Sequence, residues 1–70
     1  MKFVKWLIKK YKNDNTPYGD LANDVYDDIQ QNNLTQLNNY RDLKNRIILL
    51  SNNDDVLNTL DKVYEEYKKK

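Results

Sequence analysis

The 70-residue chain has no cysteine and no histidine, and it has one glycine, one proline and one serine. Without cysteine there is neither a disulfide nor a thiolate metal site. That fits a reducing compartment, and a cytoplasmic location is the expectation. Without histidine the commonest general base and the commonest metal ligand are missing. Ser51 is the sole serine, and no imidazole is available to activate it. Catalysis, a bound metal and a cofactor are therefore not expected. No stretch approaches the roughly 20 apolar residues of a membrane span. The opening Met1–Lys10 does not read as a signal peptide, because Lys5 interrupts the apolar run and no small-residue cleavage site follows. Net charge is +1, so bulk electrostatics select neither nucleic acid nor a membrane. The two-residue alternation of strands is absent throughout.

What remains is helical patterning in one small domain of residues 1–70. A chain of this length buries only about 60% of its unfolded surface, so its helices must pack efficiently. The organising stretch is Thr16–Asp28. Thr16 can cap a helix, Pro17 suits the first helical position, and Asp20 complements the positive end of the dipole. Gly19 costs about 1 kcal/mol against alanine there. Its expected role is close approach of another backbone. At about 100° per residue, Tyr18, Leu21, Ala22, Val25, Tyr26 and Ile29 share one side, and Asp20, Asn23, Asp24, Asp27 and Asp28 the other.

Before it, a helix over about 2–12 gathers Phe3, Val4, Trp6, Leu7, Ile8 and Tyr11 into a wide apolar arc. Lys2, Lys5, Lys9 and Lys12 share the remaining face. A solvated lysine face is the favoured reading over an anion-binding stripe. Asn13-Asp14-Asn15 is a loop that lacks the ligand spacing of a calcium site. The second helix covers about 17–31, and Leu34 and Leu37 are expected to tuck under the following loop. Asn38 or Asn39 caps a third helix over about 39–51, with Tyr40, Leu43, Ile47 and Leu50 as its seam. Ile48 and Leu49 fall off that seam; burial on two sides is favoured over a partner surface. Asn53 caps a fourth helix over about 54–68, striped by Val56, Leu57, Leu60, Val63, Tyr64 and Tyr67. The expected core is Phe3, Trp6, Leu7, Leu21, Val25, Tyr40, Leu43, Ile47, Leu60, Tyr64 and Tyr67. The expected architecture is all-α, a small orthogonal array of four helices.

Gly19-Asp20-Leu21-Ala22-Asn23-Asp24-Val25-Tyr26-Asp27-Asp28 resembles the GDLA…D segment of the YozE family of small Firmicute proteins. Phe3-Val4-Lys5-Trp6-Leu7 is similar to that family's aromatic opening, and Asn53–Tyr67 to its last helix. Tyr40 and Leu43 sit where the family has the third helix's aromatic and aliphatic pair. The resemblance covers nearly the whole chain and implies a sterile-alpha-motif-like fold, with no agreed activity to carry over. Two features depart from the family pattern. Ile29–Leu34 has no proline where an aromatic-proline pair is usual, and Arg46 stands where an aromatic is common. A phage or mobile-element relative would fit such drift.

Two functions follow as expectations. The first is a protein-interaction or adaptor module with an unidentified partner, in which Asp20, Asp24, Asp27 and Asp28 form an acidic partner face and Lys2, Lys5, Lys9 and Lys12 a basic one. Copies could associate head to tail through them, or the two stripes could simply neutralise each other within one molecule. The second is nucleic-acid binding, in which the same lysines, with Arg41, Lys44, Arg46 and the terminal lysines, contact backbone phosphate. Against the second stand the near-zero net charge and the lack of a recognition-helix pattern. The acidic stripe could instead imitate DNA. It could also hold Mg²⁺ through water, but a solvated stripe is favoured. Placing the first helix on a membrane surface would require Phe3 and Trp6 to leave the core.

Overall fold

The computed structural model describes residues 2–69; Met1 and Lys70, the last of the terminal lysines, lie outside the described residues. Four helices follow one another, α1 (Phe3–Tyr11), α2 (Pro17–Asn32), α3 (Tyr40–Leu50) and α4 (Asp54–Lys68), and no strand occurs among the described residues. The fold is an all-α array. Three helices start where a side chain can satisfy their open N–H groups. Thr16 Oγ1 accepts from the Gly19 amide at 3.3 Å, with Pro17 following in the first turn. Asn39 Oδ1 accepts from Asp42 at 2.9 Å, and Asn53 Oδ1 from Asp55 at 2.8 Å. Asn39, not Asn38, is thus the cap of α3. Asn38 serves α1 instead: its carbonyl accepts the Val4 N–H at 3.1 Å, where Lys2 provides no side-chain cap.

The helices differ slightly from the sequence-based bounds. α1 stops at Tyr11 rather than 12 and starts at Phe3 rather than 2; α2 runs one residue further, to Asn32; α3 is one shorter at each end; α4 spans Asp54–Lys68. Asn33 closes α2 in the left-handed region (φ 55°).

The core is Phe3, Val4, Trp6, Leu7, Leu21, Ala22, Val25, Leu43, Ile47, Leu60 and Val63. Val4, Ala22 and Val63 join the expected set. Tyr40, Tyr64 and Tyr67 do not lie inside it: they are half-buried and pack on its edge. Their hydroxyls explain the position, since a buried phenol needs a partner; Tyr40 reaches the rim and donates to the Asp61 carboxylate. The rings themselves form a ladder. Tyr40 and Tyr64 stack at 4.2 Å, Phe3 meets Tyr64 edge-on at 5.1 Å, and Trp6 lies 5.2 Å from Tyr67. Glu66 ties α4 to α1, accepting from the Tyr11 hydroxyl at 2.5 Å and pairing with Lys10 Nζ at 2.6 Å.

The lone glycine has a steric purpose. A Cβ built on Gly19 would lie 1.8 Å from the Asp14 carbonyl oxygen, so the first loop crosses α2 at closer range than any other residue permits.

The end of α3 overturns an expectation. Ile48, Leu49 and Leu50 are 40%, 74% and 59% exposed, whereas the sequence pattern puts Leu50 in the seam and favours burial of Ile48 and Leu49. Three consecutive helical residues sweep about 200° of arc, too wide for one packed flank. α3 packs on α4 and α1, and its backbone makes no close approach to α2. Leu43 and Ile47 fill the packed side, and Leu50 is left facing the gap.

Candidate protein interface

The gap between α2 and α3 is the principal concavity beside those leucines. It is a groove of about 350 Å³, floored by Leu21, Val25, Leu43 and Ile47 and edged by Leu50 and Val56. It continues along α2 into a smaller acidic cleft of about 190 Å³, which shares Leu21, Asp24 and Val56 with it and adds Asp20 and Asp55. The groove is crossed by an ion pair. Arg46 donates through Nε to Asp28 Oδ2 at 2.8 Å and through a second nitrogen to Asp28 Oδ1 at 2.9 Å. Asn32 adds a third donor to Oδ1 at 2.7 Å. The Arg46 hydrogen bonds hold the Asp28 carboxyl below its usual range; partial burial opposes this, and Asn32 assists. The fork geometry is the one in which arginine and carboxylate bind most specifically.

Asp28 therefore leaves the expected acidic partner face: it is a structural anion between two helices. Asp20, Asp24 and Asp27 remain exposed on α2. Arg46, a member of the expected basic surface, is likewise committed, to Asp28. Its role was hidden because the two residues lie on separate helices with no periodic relation. The exposed leucines did carry a signal: Ile48-Leu49-Leu50 is a run that a single seam cannot absorb.

The lysines Lys2, Lys5, Lys9 and Lys12 are all exposed. Among the described residues, no ion pair joins them to the aspartates of α2; the pairs are Lys10–Glu66, Arg46–Asp28 and Lys68–Glu65. Lys12 instead places its Nζ 4.5 Å from the Tyr26 ring centroid. Lys5 and Lys9 edge a second hollow, of about 500 Å³, between α1 and the far flank of α2. Its apolar lining is Val4, Ile8, Ile29, Leu34 and Leu37. Leu37 packs against the core, while Leu34 lines this hollow.

Ser51 Oγ donates to the Ile47 carbonyl at 3.4 Å. Among the described residues, no three acidic side chains are grouped to hold a metal ion, and no helix is long and apolar enough to cross a membrane. Phe3 and Trp6 are 3% and 5% exposed, so both rings lie in the core. Searches of protein-family models, curated proteins and solved structures return no match to this chain.

Proposed function

We propose that this chain is a non-enzymatic cytoplasmic protein-interaction module, docking through Ile48, Leu49 and Leu50 and the adjoining groove between α2 and α3. One observation carries the reading: three large aliphatic side chains are exposed in succession, and the last of them, Leu50, borders an apolar groove. Exposed apolar surface of that kind is costly unless a partner covers it. Asp20, Asp24 and Asp55 border the groove's acidic end and are not ion-paired among the described residues. The matching partner surface is apolar and bordered by lysine or arginine. The resemblance to the YozE family belongs to the same proposal and adds a fold without an activity.

Affinity capture from a host lysate tests this, with nuclease treatment and at two salt concentrations, using the wild type and Leu49→Asp. The expected result is a protein retained after nuclease and lost from the variant. The runner-up, phosphate binding through Lys2, Lys5 and Lys9, is favoured by their exposure and lack of ion pairing. Nucleic acid retained at low salt, released at high salt and indifferent to Leu49→Asp would put it first.

A further inference from the structure

Resting on that reading, we propose that the partner is a second copy of this chain: Leu49, the most exposed of the three aliphatic residues at the end of α3 and the middle of their arc, seats in the lysine-edged hollow between α1 and α2 of the next molecule. The two surfaces have complementary form. One is the exposed apolar end of α3, whose Leu50 borders the groove that Asp24 also lines and that runs on to Asp20 and Asp55; the other is an apolar hollow of about 500 Å³ edged by Lys5 and Lys9. That volume lies within the roughly 300–1,000 Å³ of pockets that enclose small ligands, room enough for aliphatic side chains. Neither lysine is ion-paired among the described residues, so both charges are available to the aspartates of a neighbour. A net charge of +1 leaves little overall repulsion between copies.

Geometry fixes the mode of assembly. Asp24 and Asp28 line the acidic groove, while Tyr26 and Gln30 line the hollow. Residues two apart on a helix are separated by about 200°, so the surfaces occupy opposite flanks of α2. One molecule therefore cannot satisfy its own hollow, and a pair leaves one tip and one hollow open. Such a heterologous contact propagates into a ring or an open chain. The molecule exposes 4901 Å² in all, so even a standard half-interface of about 800 Å² would cover about a sixth of it. The contact is accordingly weak and most visible at high concentration.

Sedimentation velocity from about 10 µM to about 1 mM, a range that brackets weak dissociation constants, is the test. Wild type is expected to gain mass with concentration and to lose it on adding salt. Leu49→Asp removes the tip, and the double variant Lys5→Glu/Lys9→Glu reverses the hollow's edge. Each alone is expected to weaken association at least about tenfold, as loss of a central contact does. Circular dichroism checks that both fold, which the exposure of all three side chains allows. Mixed together, the variants are expected to give a dimer that grows no further, since each retains one intact surface. A wild type that stays monomeric, or variants that fail to pair when mixed, would overturn the proposal. So would association lost in Leu49→Asp but kept in the lysine variant, which would mean that the tips pair with each other. If the wild type is monomeric yet Leu49→Asp still loses a captured protein, the second copy is wrong and the interaction module stands.

Discussion

Gly19→Ala is the substitution for which helix propensity and the tertiary structure disagree in sign. Propensity alone rewards it by about 1 kcal/mol, since Gly19 lies inside the first turns of α2. Glycine has no positive φ here, so conformational strain gives no reason to keep it. The obstacle is space. The added Cβ would lie 1.8 Å from the Asp14 carbonyl oxygen, 2.5 Å from its carbon and 2.9 Å from its Cα, all backbone atoms that no rotamer change can remove. The loop must retreat by more than about 1 Å, which as overpacking costs about 1–3 kcal/mol. It is also pinned where it must move. The Asp14 amide donates to the Tyr11 carbonyl at 2.8 Å, and the Asn13 amide to Asn23 Oδ1 at 3.0 Å. Each such bond contributes about 1 kcal/mol. Set against the propensity gain, the net loss is about 2–4 kcal/mol. A domain of this size is stable by about 4–10 kcal/mol in total. The melting temperature should therefore fall by about 8–32 °C. Thermal melts by circular dichroism at 222 nm measure it, with Asp27→Ala, exposed on the same helix, as the propensity control. A melting temperature unchanged or raised in Gly19→Ala would refute the close approach of loop and helix.

Trp6→Ala is expected to cost about 3–5 kcal/mol, because the ring is 5% exposed and packed by Tyr67, Tyr11 and Phe3. A cooperative, unshifted melt would contradict its place in the core. Arg46→Met should flatten the acid limb of stability. The folded Asp28 carboxyl is held below its ordinary 3.8, so its contribution is complete above that value and fades as pH falls through the lower folded pKa; urea midpoints from pH 6 down to 2 in the variant and the wild type would show the difference or deny it. At the alkaline end, burial and then the hydrogen bond to Glu66 push the Tyr11 hydroxyl up from 10.0 to about 12. A raised pKa stabilises the fold fully below 10 and progressively less as pH climbs to about 12, so Tyr11→Phe should lose that dependence; ultraviolet titration at 295 nm should show one fewer late-ionising phenol.

Most of the fold was legible because its signals are local. Thr16-Pro17, Asn39 and Asn53 each announce a helix start through their own side chains, and the caps occur there. Periodicity placed Leu7, Val25, Leu43 and Leu60 inside. Gly19 was legible as a close approach, though the sequence did not name Asp14 as the neighbour. Period fails where a helix is packed on fewer sides than its apolar arc covers, which is why Leu50 was placed in the seam and stands exposed. It fails again for Asp28 and Arg46, whose pairing depends on how two helices are disposed. The tyrosines mark a third boundary: an apolar stripe counts Tyr40, Tyr64 and Tyr67 as core, but their hydroxyls keep them at its edge.

Asn13, Asn33 and Asn52 are the non-glycine residues with positive φ among those described, at 70°, 55° and 47°, and each falls at or just past the end of a helix. A glycine would adopt the same geometry more easily, yet it would also widen the range of conformations open to the denatured chain. Asparagine accepts the left-handed turn through its short polar side chain while its Cβ keeps that denatured ensemble narrower. The entropic part of that difference is about 0.4–1 kcal/mol per position, and the cost of holding a Cβ in the left-handed region, which asparagine keeps small, offsets it. For a domain with so small a core, part of the resistance to unfolding thus resides in disordered conformations that three asparagines close off.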